Sequence, residues 1–170
     1  MSAPEEIRVI GTSTATESTE TVDRRLSSLI CAFGNRLQIE TPVMQVMRWS
    51  EYEQQKINNG LRRTLQLFEV GQLTTGTIRS ICRQPGYEQP LYTNVLDVLE
   101  DESFRLPRGK RVVFIPRHPW MAPEDDAESD VQIPWGVAIS ADENNRRIHL
   151  IPSRPRRKWD TAVFARLLKE

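Results

Sequence analysis

From residue 19 onward the apolar residues recur at helical spacing. Val22, Leu26, Leu29, Ile30 and Phe33 fall on one side, Asp23, Arg24 and Arg25 on the other, and Gly34-Asn35 supplies a stop. A second start lies in "ETPVMQVMRW", where Thr41 can cap, Pro42 suits the first helical position, and Val43, Val46 and Met47 form a stripe; a strand over residues 37–47 is the alternative. "SEYE" has the form of a capping box, with Ser50 and Glu53 satisfying each other's backbone N–H groups. It predicts a new helix from Ser50, closed by Asn58, Asn59 and Gly60. In "LRRTLQLFEV", Leu61, Leu65 and Phe68 share a helical face, although Leu65 and Leu67 also alternate as in a strand. Ile78 and Ile81 before the Pro85-Gly86 turn, and Leu91, Val95, Val98 and Leu99 after it, predict two more helices.

The last third has a different texture. "KRVVFIP" (110–116), "WGVAIS" (135–140) and "RRIHLIP" (146–152) are short, β-branched and bounded by turn residues. They predict an antiparallel meander or partial barrel whose second turn is "ADENN" and whose first connection, 117–134, is an acidic surface loop. "KWDTAVFARLLKE" predicts a closing helix, capped by Asp160 and docked through Ala162, Val163, Leu167 and Leu168. At the other end, "IRVIG" is strand-like and 11–19 is a Ser/Thr-rich segment without hydrophobic period, expected to be flexible. Its strand-Gly-hydroxyl order lacks the second Gly and the Lys of a phosphate-cradling P-loop. The expectation is one α+β domain over 1–170: a helical N-terminal part packed on a small antiparallel sheet, with a C-terminal helix.

Composition narrows the function classes. Lys+Arg and Asp+Glu number 23 each, so bulk charge draws the chain to neither nucleic acid nor anionic lipid, and an anionic partner has to be met by a local patch. No apolar run approaches the roughly 18 residues of a membrane span and the N-terminus has no signal-peptide order, which predicts a soluble, intracellular, cytoplasmic protein, or a nuclear one in a eukaryotic or viral setting. Cys31 and Cys82, without metal spacing or neighbouring His, are expected to be buried free thiols.

Two constellations carry candidate chemistry. Residues 63–84 resemble a helix-turn-helix: a turn at Gly71, Leu67, Leu73, Ile78 and Ile81 inside, and Thr74, Thr75 and Thr77 at the start of a recognition helix with Arg79 and Arg83 facing phosphates or guanines. Gly76 and the β-branched run from 74 to 81 fit a strand nearly as well. The second is the arginine pattern. Arg105, Arg108, Lys110, Arg111 and Arg117 form one basic segment; Arg146, Arg147, Arg154, Arg156, Arg157 and Lys158 form another, densest in "SRPRRKWD" (153–160). Glu124, Asp125, Asp126, Glu128 and Asp130 lie between them. On a meander the two basic segments form one patch whose binding to phosphates is steeply salt-dependent. Trp159, Trp120 and His149 then offer stacking surfaces to bases, and the acidic loop competes for the same arginines.

Catalytic signatures are weak. His118 and His149 have no identified base or ligand partners, His118 with Asp125 or Asp126 matches no metal spacing, and no Gly-x-Ser-x-Gly occurs. The sequence therefore favours a non-enzymatic protein without cofactor or metal that binds DNA or RNA, with Arg146, Arg147, Arg154, Arg156, Arg157, Lys158 and Trp159 as contacts and Arg79 and Arg83 as a second set. The alternative is an assembly subunit whose arginines and Trp120, Met121, Trp135 and Trp159 dock an acidic protein. A small enzyme of unrecognised chemistry centred on His118 or His149 is the third.

Overall fold

In a computed structural model of the chain, residues 7–15, 21–57, 63–101, 104–106, 109–124, 130–141, 145–160 and 162–169 are described. In chain order the elements are β1 (Arg8–Ala15), α1 (Val22–Phe33), a 3-10 turn (Gly34–Arg36), β2 (Leu37–Ile39), α2 (Thr41–Ile57), β3 (Arg63–Val70), β4 (Leu73–Thr74), α3 (Thr75–Cys82), β5 (Tyr87–Glu88), α4 (Asn94–Glu100), β6 (Arg111–Phe114), β7 (Trp120–Ala122), β8 (Ile133–Ala141), β9 (Arg146–Pro152), β10 (Lys158–Trp159) and β11 (Ala162–Leu168). Nine strands make one mixed sheet in the order β1-β3-β11-β6-β8-β9-β2, with β5 on β11 and β7 on β8; β10 and β4 pair separately. β11–β6 and β2–β9 are parallel and the other pairs antiparallel.

This overturns the expected architecture. The three strands of the meander are neighbours, as β6-β8-β9, but they continue into a sheet that dominates the molecule. Two segments expected as helices, 63–70 and 162–168, are strands β3 and β11. The physical reason lies in their burial. Leu65 and Leu67 pack into one core cluster and Phe68 and Val70 into another, on opposite sides of the sheet. Ala162 through Leu167 are buried without interruption. A strand covered on both faces is apolar at nearly every position, so i, i+4 pairs such as Val163 and Leu167 arise without a helix.

Other expectations fared differently. α1 starts after Thr21, whose side chain accepts from the N–H of Arg24, and ends at Gly34 with φ +60°, the left-handed region that glycine tolerates. Thr41-Pro42 opens α2, but α2 runs on through Ser50, whose hydroxyl donates to the Met47 carbonyl rather than capping a new helix. Gly11 to Ala15 of the expected flexible segment pair with β3. Residues 120–122 of the acidic connection form β7. Cys82 is buried, whereas Cys31 is exposed. The expected stop at Asn58–Asn59–Gly60, most of "ADENN", and Arg108, Asp125, Asp126 and Glu128 lie outside the described residues. No helix among the described residues is long and apolar enough to cross a membrane.

One face of the sheet is covered by α1, α2 and α4, which bury Leu26, Leu29, Val43, Met47, Val95 and Leu96 against it. On the opposite face α3 and Trp159 cover Phe68, Val113 and Phe164. Buried polar groups tie the layers. Arg25, 3% exposed, donates to Asp97 at 2.7 Å and to Glu100, joining α1 to α4; Asn94 Nδ2 donates to the second Asp97 oxygen at 2.9 Å. Arg166, also 3% exposed, fixes α3 to β11 without a carboxylate: it donates to the Gln66 side chain at 2.9 Å, the Ile81 carbonyl at 3.1 Å and the Gln84 side chain at 3.2 Å, and lies 3.5 Å from the Tyr87 ring centre. Arg166 thereby satisfies a carbonyl at the end of α3.

Burial pushes the Asp97 carboxyl up from its ordinary 3.8 to about 6, against the pull of Arg25. A raised value means that the folded state holds the proton more tightly than the unfolded chain. This contribution to stability is complete below 3.8 and lost as pH rises through 6. Arg25→Met strands the Asp97 charge in the core and is expected to cost about 3–5 kcal/mol at neutral pH. The deficit should shrink between about pH 8 and about pH 5, as Asp97 becomes neutral; urea midpoints at the two pH values check both statements. A second prediction concerns Gly136 in β8, where an added Cβ would sit 2.8 Å from the Phe114 carbonyl oxygen and 2.8 Å from Ser153 Oγ. Gly136→Ala should cost about 1–3 kcal/mol by overpacking, read as a lowered thermal midpoint.

Candidate functional site

Strand register builds the site. Arg111 of β6 is opposite Ser140 of β8, which is opposite Arg147 of β9, so the three side chains form a row on one face. Gln38 of β2 extends that row, and Val113, Ala138 and His149 form the next. Arg111 and Arg147 are exposed and His149 is half-buried. Burial holds the imidazole below its ordinary 6.5, opposed by Glu40 and reinforced by Arg147 and Arg111. Its Nδ1 is buried and has no hydrogen-bond partner among the described residues.

Arg157 joins the group from the loop after β9. Burial and Arg111 both lower its pKa, while Glu124 opposes them. Its guanidinium lies 4.1 Å from the Trp159 ring centre and donates to the Pro152 carbonyl. Arg154, Arg156 and Lys158 are exposed along the same loop. Two acids temper the charge: Arg147 meets Glu40 at 3.6 Å and Arg154 meets Glu124 at 2.8 Å, all four being at least one-third exposed. Exposed pairs of this kind are weak and screened by salt.

"SRPRRKWD" divides its work between backbone and side chains. The Arg157 carbonyl accepts from the N–H of Thr75 and the Pro155 carbonyl from the N–H of Gly76, each at 3.0 Å, so the loop closes the first turn of α3. Lys158 and Trp159 pair with Thr74 and Leu73. Trp159 is 2% exposed, donates from its indole nitrogen to Thr75 Oγ1 at 2.8 Å, and meets Phe164 edge-on.

Two expectations are corrected here. Trp159 is a core residue rather than a stacking platform, because its ring fills the space between β11 and α3. Residues 63–84 are not a helix-turn-helix, because 63–70 is sheet and the start of α3, where bases would be read, is occupied by the protein's own loop. Of its side chains, Thr74 caps α3, Arg79 is half-buried, and Arg83 donates to Gln89 at 2.7 Å.

The arginines expected as one patch are also divided. Successive residues of a strand face opposite ways, and Arg146 turns to the helical face, where it lies 5.7 Å from the Phe33 ring centre. Trp120 is on that side too, edge-on to Trp49 at 5.2 Å. Trp135 donates to the Ala122 carbonyl at 3.0 Å. Arg111, expected in the patch on the meander but not among the contact residues, is set in one row with Arg147 by the register.

Chemistry is little supported. His118 is exposed, and burial pushes the Cys82 thiol up to about 12, so it is not a thiolate at neutral pH. Among the described residues no group of three or more His, Cys, Asp or Glu side chains is placed to hold a metal. No family model, no curated protein and no solved structure matches the chain.

Proposed function

We propose that the open face of the sheet binds nucleic acid through its phosphates. The observation that carries this is the row Arg111–Ser140–Arg147 beside His149, with Arg157 adjoining it through Arg111; among the described residues the acids acting on this group are Glu40 and Glu124. Arg154, Arg156 and Lys158 add exposed positive charge in the adjoining loop. Guanidinium forks suit phosphate oxygens, and a flat array of them fixes a backbone without reading bases. With Trp159 buried and the start of α3 closed, contacts on this face are to phosphate, so binding is sequence-tolerant and governed by counterion release. Docking of an acidic protein is the second reading, favoured by the exposed Trp49, edge-on to Trp120.

Fluorescence anisotropy with labelled single-stranded RNA, single-stranded DNA and duplex DNA across a salt series tests the reading. Binding is expected at low salt and should weaken steeply as salt rises. Changing Arg111, Arg147 and Arg157 together to Gln should weaken it at least about tenfold and flatten the salt slope by about one unit per lost phosphate contact. Absence of binding to all three at low salt overturns the proposal and turns attention to acidic proteins. The Glu124–Arg154 pair gives a further prediction. Glu124→Gln releases Arg154 and should tighten binding by up to about fivefold at low salt, with the gain vanishing at high salt; an unchanged affinity would mean that the acid does not screen the site.

A further inference from the structure

The helical face holds a second cationic place. Between α1 and α4 lies a cleft of about 520 Å³, in the size range of small-molecule sites, floored by Leu29, Phe33, Val98, Leu99, Phe104 and Leu106. Arg36 and Arg146 stand at its edge with their guanidinium carbons 5.6 and 5.7 Å from the centre of the Phe33 ring. Arg36 is anchored by donating to the Phe33 and Ala32 carbonyls at the end of α1. Arg146 is half-buried; among the described residues, Arg105 and Arg36 act on it with charge like its own. The acids of the lining, Glu100 and Asp101, accept from Arg25 and from the Ser13 hydroxyl at 2.7 Å and lie at the end of α4, whereas Arg36 and Arg146 flank the Phe33 ring.

An apolar floor beside the half-buried Arg146 and the exposed Arg36 is complementary to a molecule with an apolar body and one negative end. We propose that this cleft binds a small amphipathic anion, its acid group on Arg146 and Arg36 and its apolar body against Phe33, Leu99 and Phe104. Its charge is what separates such a ligand from a neutral one, because the apolar floor accepts both. A ligand carrying a cation instead meets two arginines.

Isothermal titration of the purified protein with decanoate, decanol and decyltrimethylammonium reads the site. Decanoate should bind at least about tenfold more tightly than the other two, as expected for a charge-assisted contact. Arg146→Gln should abolish that preference and leave decanol unchanged, and Ala32→Trp, at an exposed lining position, should block decanoate and decanol together. Thermal melts followed by circular dichroism establish that both variants are folded. Equal binding of decanoate and decanol, no binding of decanoate, or a preference that survives Arg146→Gln would each overturn the proposal. Cosedimentation with phosphatidylglycerol vesicles separates a free amphiphile from a bilayer: capture by vesicles without binding of decanoate counts against the cleft. Arg147→Gln should weaken nucleic-acid binding and leave decanoate untouched, so the two sites fail or stand independently.

Discussion

The pairing of β3 with β11 at the middle of the sheet sets the conditions for everything around it. Leu65, Leu67, Val163, Ala165 and Leu167 face one way and Phe68, Val70 and Phe164 the other, and all are buried. A strand pair apolar on both sides is stable only if both sides are covered. One cover is α1, α2 and α4. The other is smaller: α3, Trp159 and the loop that holds them. Because α3 has only eight residues, it shields the sheet around Phe68, Val113 and Phe164, and among the described residues no helix lies above the row Arg111–Ser140–Arg147.

The loop 153–160 connects that cover to the charge beside it. Its carbonyls cap the start of α3, its tryptophan completes the core, and its arginines and lysine remain outside except for Arg157, which folds back over the indole. Cation–π contact and the Pro152 carbonyl orient Arg157 without neutralising it. Changing this loop therefore alters both the packing of α3 and the charge of the open face, whereas changing Arg111 or Arg147 alters charge alone.

The amphipathic elements were legible in the sequence, and the covered strands were not. α1, α3 and α4 show their apolar stripes, and Thr21 and Gly34 mark the ends of α1. β6, β8 and β9 show β-branched runs between turn residues. In β3 the alternation of Leu65 and Leu67 competes with the helical face of Leu61, Leu65 and Phe68, and in β11 burial on both faces puts Val163 and Leu167 at i, i+4, which imitates a helix. Ser50 has the composition of a cap, but the helix that starts at Thr41 runs through it and leaves no free first turn for it to cap. At the candidate site, a patch across neighbouring strands was legible, and which arginines share its face was not. Arg146 and Arg147 are adjacent in sequence and on opposite faces, while Arg111 and Arg147 are far apart in sequence and in one row.

The treatment of charge inside and outside the core argues for use of the open face. Arg25 in the interior has two carboxylates, and Arg166 has three uncharged acceptors and an aromatic ring. Burial there is tolerated because the donors have partners. Arg111 and Arg147 instead act on His149, and Arg111 on Arg157, offset among the described residues by the weak contacts of Glu40 and Glu124. Like charges held together on a rigid sheet destabilise the protein, and exposed acids relieve little of it. An anion that spans the row removes the repulsion between its cations while gaining their attraction. The arrangement unfavourable to the free protein is thus favourable to the complex, and the same reasoning applies to Arg146 and Arg36 at the cleft on the other side.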